Sequence, residues 1–168
     1  MLKSIKTYFL KRNLNSYLKT QNTSNINSNL VGVLYNADRS DKFQIRQYLE
    51  KSFQLKSDQV LFLGFSQHRF DKVEQPEDIF IEKDFSIFGE AKSENIQQFV
   101  HQKFKFLFNY YKSEQLYLDL VSSQTQVELN IGFHNSNQKL NDLMISTDIE
   151  NPDFFKASSN YIKQIHIK

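Results

Sequence analysis

With 168 residues and no cysteine, the chain is sized for one domain and is excluded from disulfide, thiolate and cysteine–metal chemistry. Apolar residues make up 39% and charged residues 24%, enough for one core that leans on 16 Phe and 8 Tyr, and no apolar run approaches the roughly 20 residues of a membrane span. The net charge of +2 conceals an asymmetry: residues 1–37 carry five basic side chains and no acid, which leaves 16 basic and 19 acidic residues, a net −3, for the remainder.

The first element in the chain is a helix over 2–20, with Leu2, Ile5, Phe9, Leu10, Leu14, Tyr17 and Leu18 as its apolar stripe and the cations on much of the other surface. Lys11 and Arg12 interrupt the apolar stretch and no small-residue cleavage site follows, so no secretory leader is expected and the cytoplasm is the default compartment. The polar stretch 21–29 reads as a linker. Leu30 to Tyr35 is a buried strand, and Asp41 caps a second helix whose inward face is Ile45, Tyr48, Leu49 and Phe53. Val60 to Phe65 is the next buried strand. A long polar loop over 66–78 follows, and then two short apolar segments, 79–81 and 85–88, which read either as short strands or as an irregular crossing. Ser93 to His101 is a short helix.

The centre of the chain runs from Phe104 to Phe133. Phe104, Phe106, Leu107 and Phe108 predict a strand buried on both faces. Ser113 is the expected N-cap of a helix carrying Leu116, Tyr117, Leu120 and Val121. Val127, Leu129, Ile131 and Phe133 then alternate with Glu128, Asn130 and Gly132, which predicts a strand with one wet face near a sheet edge. Two strands joined by one helix are expected to be parallel, with a right-handed crossover. A polar loop, a last strand near 143–146, and a helix capped by Asn151 complete the chain. Alternating strands and helices predict an α/β fold: a single open, mostly parallel sheet with helices on both faces, Rossmann-like, spanning 30–168 and preceded by the basic amphipathic helix of 1–20.

The sequence offers little recognisable chemistry. The four glycines stand alone, so neither a dinucleotide fingerprint nor a P-loop is present. The four histidines never share metal-ligand spacing, and no nucleophile elbow occurs. No catalytic residue, metal or cofactor is therefore assigned, and the body reads as a non-catalytic binding module, the alternative being a small-ligand-binding protein or enzyme that uses the polar loops at the carboxyl ends of the strands. Ligands of open α/β sheets bind beyond the carboxyl ends of the strands. That rule makes Asn36, Asp38, Asn109, Tyr110, His134, Asn135, Asn137, Lys139 and Asp142 the candidate ligand-binding residues, with Ser66 and His68 beside them. Against this, Asn, Ser and Asp are ordinary loop formers that bond their own backbone.

The second candidate surface is the arm. Lys3, Lys6, Lys11, Arg12 and Lys19 are expected to form one positive face on a helix standing partly apart from the sheet. Such a helix docks on an anionic partner, either RNA or the ribosome through phosphate contacts, or a membrane surface at its inner face. The other reading is that the apolar stripe packs back on the domain and the cations are simply solvated; a protein partner is also open, and oligomeric state is not legible.

The segments FLFNYY at 106–111 and IGFHNSNQKLNDLMISTD at 131–148 resemble an uncharacterised family of small bacterial α/β proteins, a domain of unknown function. The resemblance spans the whole chain, basic helix included, and implies the fold without an activity. The strand, helix and strand ending in Gly132-Phe133 are also similar, over about thirty residues, to the first half of heptosyltransferase-like glycosyltransferases. Those enzymes hold the donor nucleotide sugar mainly with a second domain, for which this chain is expected to leave no room.

Overall fold

The computed structural model describes residues 1–20, 26–71, 73–149 and 151–166. Six strands form one sheet: β1 (Val31–Asn36), β2 (Val60–Ser66), β3 (Ile79–Ile81), β4 (Lys103–Tyr110), β5 (Gln126–Phe133) and β6 (Leu143–Ile145). Their order is β3-β2-β1-β4-β5-β6, and every neighbouring pair is parallel. The expected open α/β sheet is therefore present, and fully parallel.

Five helices cover it: α1 (Leu2–Thr20), α2 (Lys42–Phe53), α3 (Glu94–Val100), α4 (Leu116–Gln124) and α5 (Asp153–His166). Ile45 and Leu49 of α2 and Phe154, Phe155 and Ile162 of α5 pack on one face of the sheet. Leu10 and Leu14 of α1, Ile96 and Phe99 of α3 and Leu118, Leu120 and Val121 of α4 pack on the other. Crossovers of a single hand require this split, because β1 to β2 moves one way along the sheet while β3 to β4 and β4 to β5 move the other way. Burial on both sides explains why β1 is apolar almost throughout and why periodicity alone could not assign its faces.

Local expectations fare unevenly. The alternating strand β5 does lie near the sheet edge, with only β6, paired with Ile131 to Phe133, outside it. β6 is only three residues long, so the first half of β5 stays wet and keeps its alternation. Of the two apolar segments in 66–92, Ile79–Ile81 is a strand, whereas 85–88 enters a turn closed by Gly89 N–H donating to the Ser86 carbonyl at 3.1 Å. Ser113 is not the N-cap of α4: it sits at φ 60, and Gln115 occupies the cap position. Asp41 does cap α2, its carboxylate accepting from the Phe43 and Gln44 N–H groups. Asn151 likewise accepts from the Asp153 N–H at 2.9 Å, at the start of α5.

The amino-terminal helix is not a detached arm. Leu10 and Leu14 are buried in the core beneath it. Asn13 Nδ2 donates to the Phe88 carbonyl at 2.8 Å, and Gly89, at φ +80, leaves so little room that a Cβ there would lie 2.9 Å from Asn13 Nδ2. The helix therefore packs on α4 and on the 85–89 turn. The linker expected at 21–29 falls largely on residues outside those described.

Candidate functional site

The chain leaves β1 for β2 and β4 for β5, so the two connections diverge between β1 and β4. A crevice opens there at the carboxyl ends. The cleft measures about 570 Å³ and is lined by Asn36, Asp38 and Arg39 after β1, by Gln67 after β2, and by Glu114, Gln115 and Tyr117 around the start of α4. Asn36 Nδ2 donates to Gln115 Oε1 at 2.8 Å and so ties the two diverging loops together at the floor.

Asp38 faces the β2 loop. One carboxylate oxygen accepts from Ser66 Oγ at 2.6 Å and the other from the Gln67 N–H at 2.7 Å, while His68 Nε2 lies 3.7 Å from the first. Ser, His and Asp thus meet, but in the wrong order for nucleophilic catalysis. A triad needs the imidazole between hydroxyl and carboxylate. Here the serine donates directly to the aspartate, Ser66 Oγ accepts from the backbone N–H of His68, and the imidazole is largely exposed. The cluster fastens two loops.

The loop from His134 to Asp142 turns inward rather than lining a site. Asn109 is fully buried and donates to Asn141 Oδ1 at 2.8 Å, and Asn141 Nδ2 donates to Ser136 Oγ at 2.9 Å. Gly132 makes this possible, since a Cβ there would lie 2.4 Å from Asn141 Nδ2. Asn137 donates to Asp119 Oδ2 at 3.3 Å, and Tyr111 donates to Asp119 Oδ1 at 2.8 Å. Burial raises the Asp119 carboxyl to about 6 despite these donors, and burial beside Asp119 also holds the Tyr111 hydroxyl well above its ordinary range. Asp142 pins β5, accepting from the Asn130 N–H at 2.8 Å. Tyr110 donates to the Ile149 carbonyl and stacks on Phe155.

The candidate ligand-binding residues are therefore not brought together. Asn36 and Asp38 share the central cleft. His134 and Asn135 line a separate shallow depression beside Lys112 and Asp148, and Asn137 and Lys139 line a third, between α1 and α4. Asn109 and Tyr110 are packing residues, 0% and 3% exposed. The missed members of the network, Tyr111, Asp119 and Asn141, carried no spacing signal. Only the parallel register of β4 and β5 places Asn109 opposite Gly132 and hence beneath Asn141.

The five cations of α1 likewise do not share one face. Lys6 Nζ donates to the Glu82 carbonyl at 2.8 Å, lies 3.7 Å from the Glu82 carboxylate and sits over the Tyr117 ring, so it is clamped to the body. Lys3 lies one turn away on the same side, where it lines the central cleft. Lys11 lines the depression that holds Lys139 and Asp119. Arg12 and Lys19, seven residues apart, are exposed on the outer face.

Among the described residues, no cluster of three or more His, Asp or Glu side chains could hold a metal ion, and no helix is long and apolar enough to cross a membrane. Neither the curated proteins nor the solved structures contain a match to the chain. A family model does match, over residues 6–165, from the second turn of α1 to the last turn of α5. The chain therefore belongs to DUF6913, a family of unknown function.

Proposed function

We propose that this protein is a non-catalytic α/β module that attaches to an anionic membrane surface through the amino-terminal end of α1 and the turn packed beside it. One observation carries the reading: the apolar residues of α1 divide into two stripes. Leu10, Leu14 and the half-buried Leu18 face the core. Leu2, Ile5 and Phe9 run along another side, where Leu2 is 73% and Ile5 42% exposed. Phe9 meets Phe88 edge to face at 5.3 Å, which brings the 85–88 turn alongside, with Ile87 49% and Phe88 53% exposed.

A patch of this kind on a folded protein marks an interaction surface. Exposed cations border it: Lys3 on α1 and Lys83 before the turn, with Arg12 and Lys19 further along the helix. Each Lys or Arg near an anionic leaflet contributes about 1 kcal/mol, and the apolar side chains add their burial in the interfacial zone. RNA would engage the cations alone and leave the apolar patch in water, so the patch favours lipid. The leaflet concerned would be the cytoplasmic one. A small-ligand site in the cleft beside Asn36 is the alternative, and saturable thermal stabilisation by a nucleotide or sugar, lost in Asn36→Ala, would favour it.

Flotation with phosphatidylcholine vesicles, with and without phosphatidylserine, tests the proposal. The chain should float only with the anionic vesicles. Leu2→Ser with Ile5→Ser should lower binding at least tenfold, and Arg12→Glu with Lys19→Glu should do the same at low salt. Salt-sensitive RNA binding that ignores the Leu2 and Ile5 changes would overturn it.

A further inference from the structure

Beside the exposed end of α1 lies a groove of about 370 Å³ built from three segments far apart in sequence. Lys3 and Lys6 come from α1, His68 and Arg69 from the loop after β2, and Lys83 from the 3-10 turn after β3. A single carboxylate, Glu82, stands among them. It is already matched by Lys6, which ion-pairs with it and bonds its carbonyl. Among the described residues, Lys3, Arg69 and Lys83 have no ion-pair partner. Three cations thus converge on one small groove without an answering anion, and Leu2, Ile81 and Ile87 form its apolar side.

We infer that this groove receives the phosphomonoester headgroup of an anionic phospholipid. The inference rests on the attachment proposed above and names the lipid chemistry at that surface. A phosphomonoester carries between one and two negative charges near neutral pH and three acceptor oxygens. Arg69 supplies a planar fork suited to two of those oxygens, and Lys3 and Lys83 supply point charges. Leu2 and Ile87 line the groove and are themselves exposed, so the lipid's acyl chains leave past them toward Ile5 and Phe88. A nucleic acid presents a line of phosphodiesters and calls for an extended cationic track, whereas here the cations line one small groove with an apolar side.

Three parallel measurements on the full chain decide the matter. Vesicles of phosphatidylcholine with phosphatidic acid are compared with vesicles carrying phosphatidylserine at equal surface charge. Binding should be at least tenfold tighter to phosphatidic acid. That preference should vanish in Arg69→Ala with Lys83→Ala, both exposed positions whose replacement should leave the thermal midpoint unchanged. Equal binding to the two anionic vesicles would overturn the headgroup site and leave membrane attachment standing. Failure to bind any vesicle would overturn both. Soluble glycerol 3-phosphate is the third arm: if it stabilises the protein through Arg69 and Lys83 in the absence of vesicle binding, the groove takes a free phosphate ester and the lipid assignment is wrong.

Discussion

The Tyr111 hydroxyl, at the end of β4, donates to Asp119 Oδ1 at 2.8 Å, and both residues are 1% exposed. Asp119 lies on the inward side of α4, where a helix between two sheet strands would ordinarily place an aliphatic residue. It is matched from below by Tyr111 and from the side by Asn137, with Lys11, Lys139 and Glu114 around the depression above it.

This carboxyl gives the first prediction. Its ordinary value of 3.8 is raised to about 6 by burial. A folded-state value above the unfolded one means that the stabilising contribution is fully present below pH 4 and is lost as pH rises through about 6. The loss amounts to about 3 kcal/mol. Asp119→Asn cannot ionise, so its unfolding free energy relative to wild type should rise by about that amount between pH 4 and pH 8. Any fixed penalty of the amide against Asn137 drops out of the slope. Urea denaturation at the two pH values measures it, and a pH-independent difference would show that Asp119 is ionised throughout.

Gly132→Ala tests the network around Asn141. A Cβ would fall 2.4 Å from Asn141 Nδ2 and 2.5 Å from its Cγ, closer than any side chain tolerates. Asn141 must move, and the bridge from Asn109 to Ser136 goes with it. A loss of about 1–3 kcal/mol is expected in chemical denaturation. A loss below about 0.5 kcal/mol would mean that the loop from His134 to Asp142 adapts freely.

The seat of α1 is tested by contrasting its two sides. Leu10→Ala should cost about 2–4 kcal/mol, because the side chain is 1% exposed in the core, while Arg12→Ala should stay within about 0.5 kcal/mol. Equal, small effects would restore the detached arm. For the same reason, deletion of residues 1–20 removes core as well as surface and does not isolate the surface's role.

Asp38→Ala should unfasten the loop after β2. Ser66 Oγ and the Gln67 N–H lose their acceptor, and a destabilisation of about 1–3 kcal/mol should accompany it. Amide exchange at Gln67 should accelerate relative to that at Phe65, whose strand pairing is untouched. Unchanged exchange at Gln67 would mean that the carboxylate does not hold the loop.

Much of the architecture was legible residue by residue. Apolar runs at Val31, Val60 and Phe104, helices between them, and the caps at Asp41 and Asn151 are local patterns, set by side-chain period and by the first-turn N–H groups of a helix. Ser113 misled because a capping residue type says nothing of backbone geometry, and φ 60 placed the helix start two residues later. The alternation of Val127 to Phe133 marks a strand near the edge, but period two reports exposure and not that β6 pairs with its second half.

The parallel α/β sheet, the uneven charge of residues 1–37 and the lack of cysteine and glycine-loop motifs are carried by the order of the amino acids. The folded arrangement selects which polar residues face a cleft and which pack inside. It turned Asn109, Asn137 and Asp142 into structural ties, seated α1 through Leu10 and Leu14 while leaving Leu2 and Ile5 in water, and gathered Lys3, Arg69 and Lys83 around one groove. The difference is one of range. Period and capping act within one turn or one strand, whereas a binding surface depends on contacts between residues some eighty positions apart, which exist only once the sheet order has brought them together.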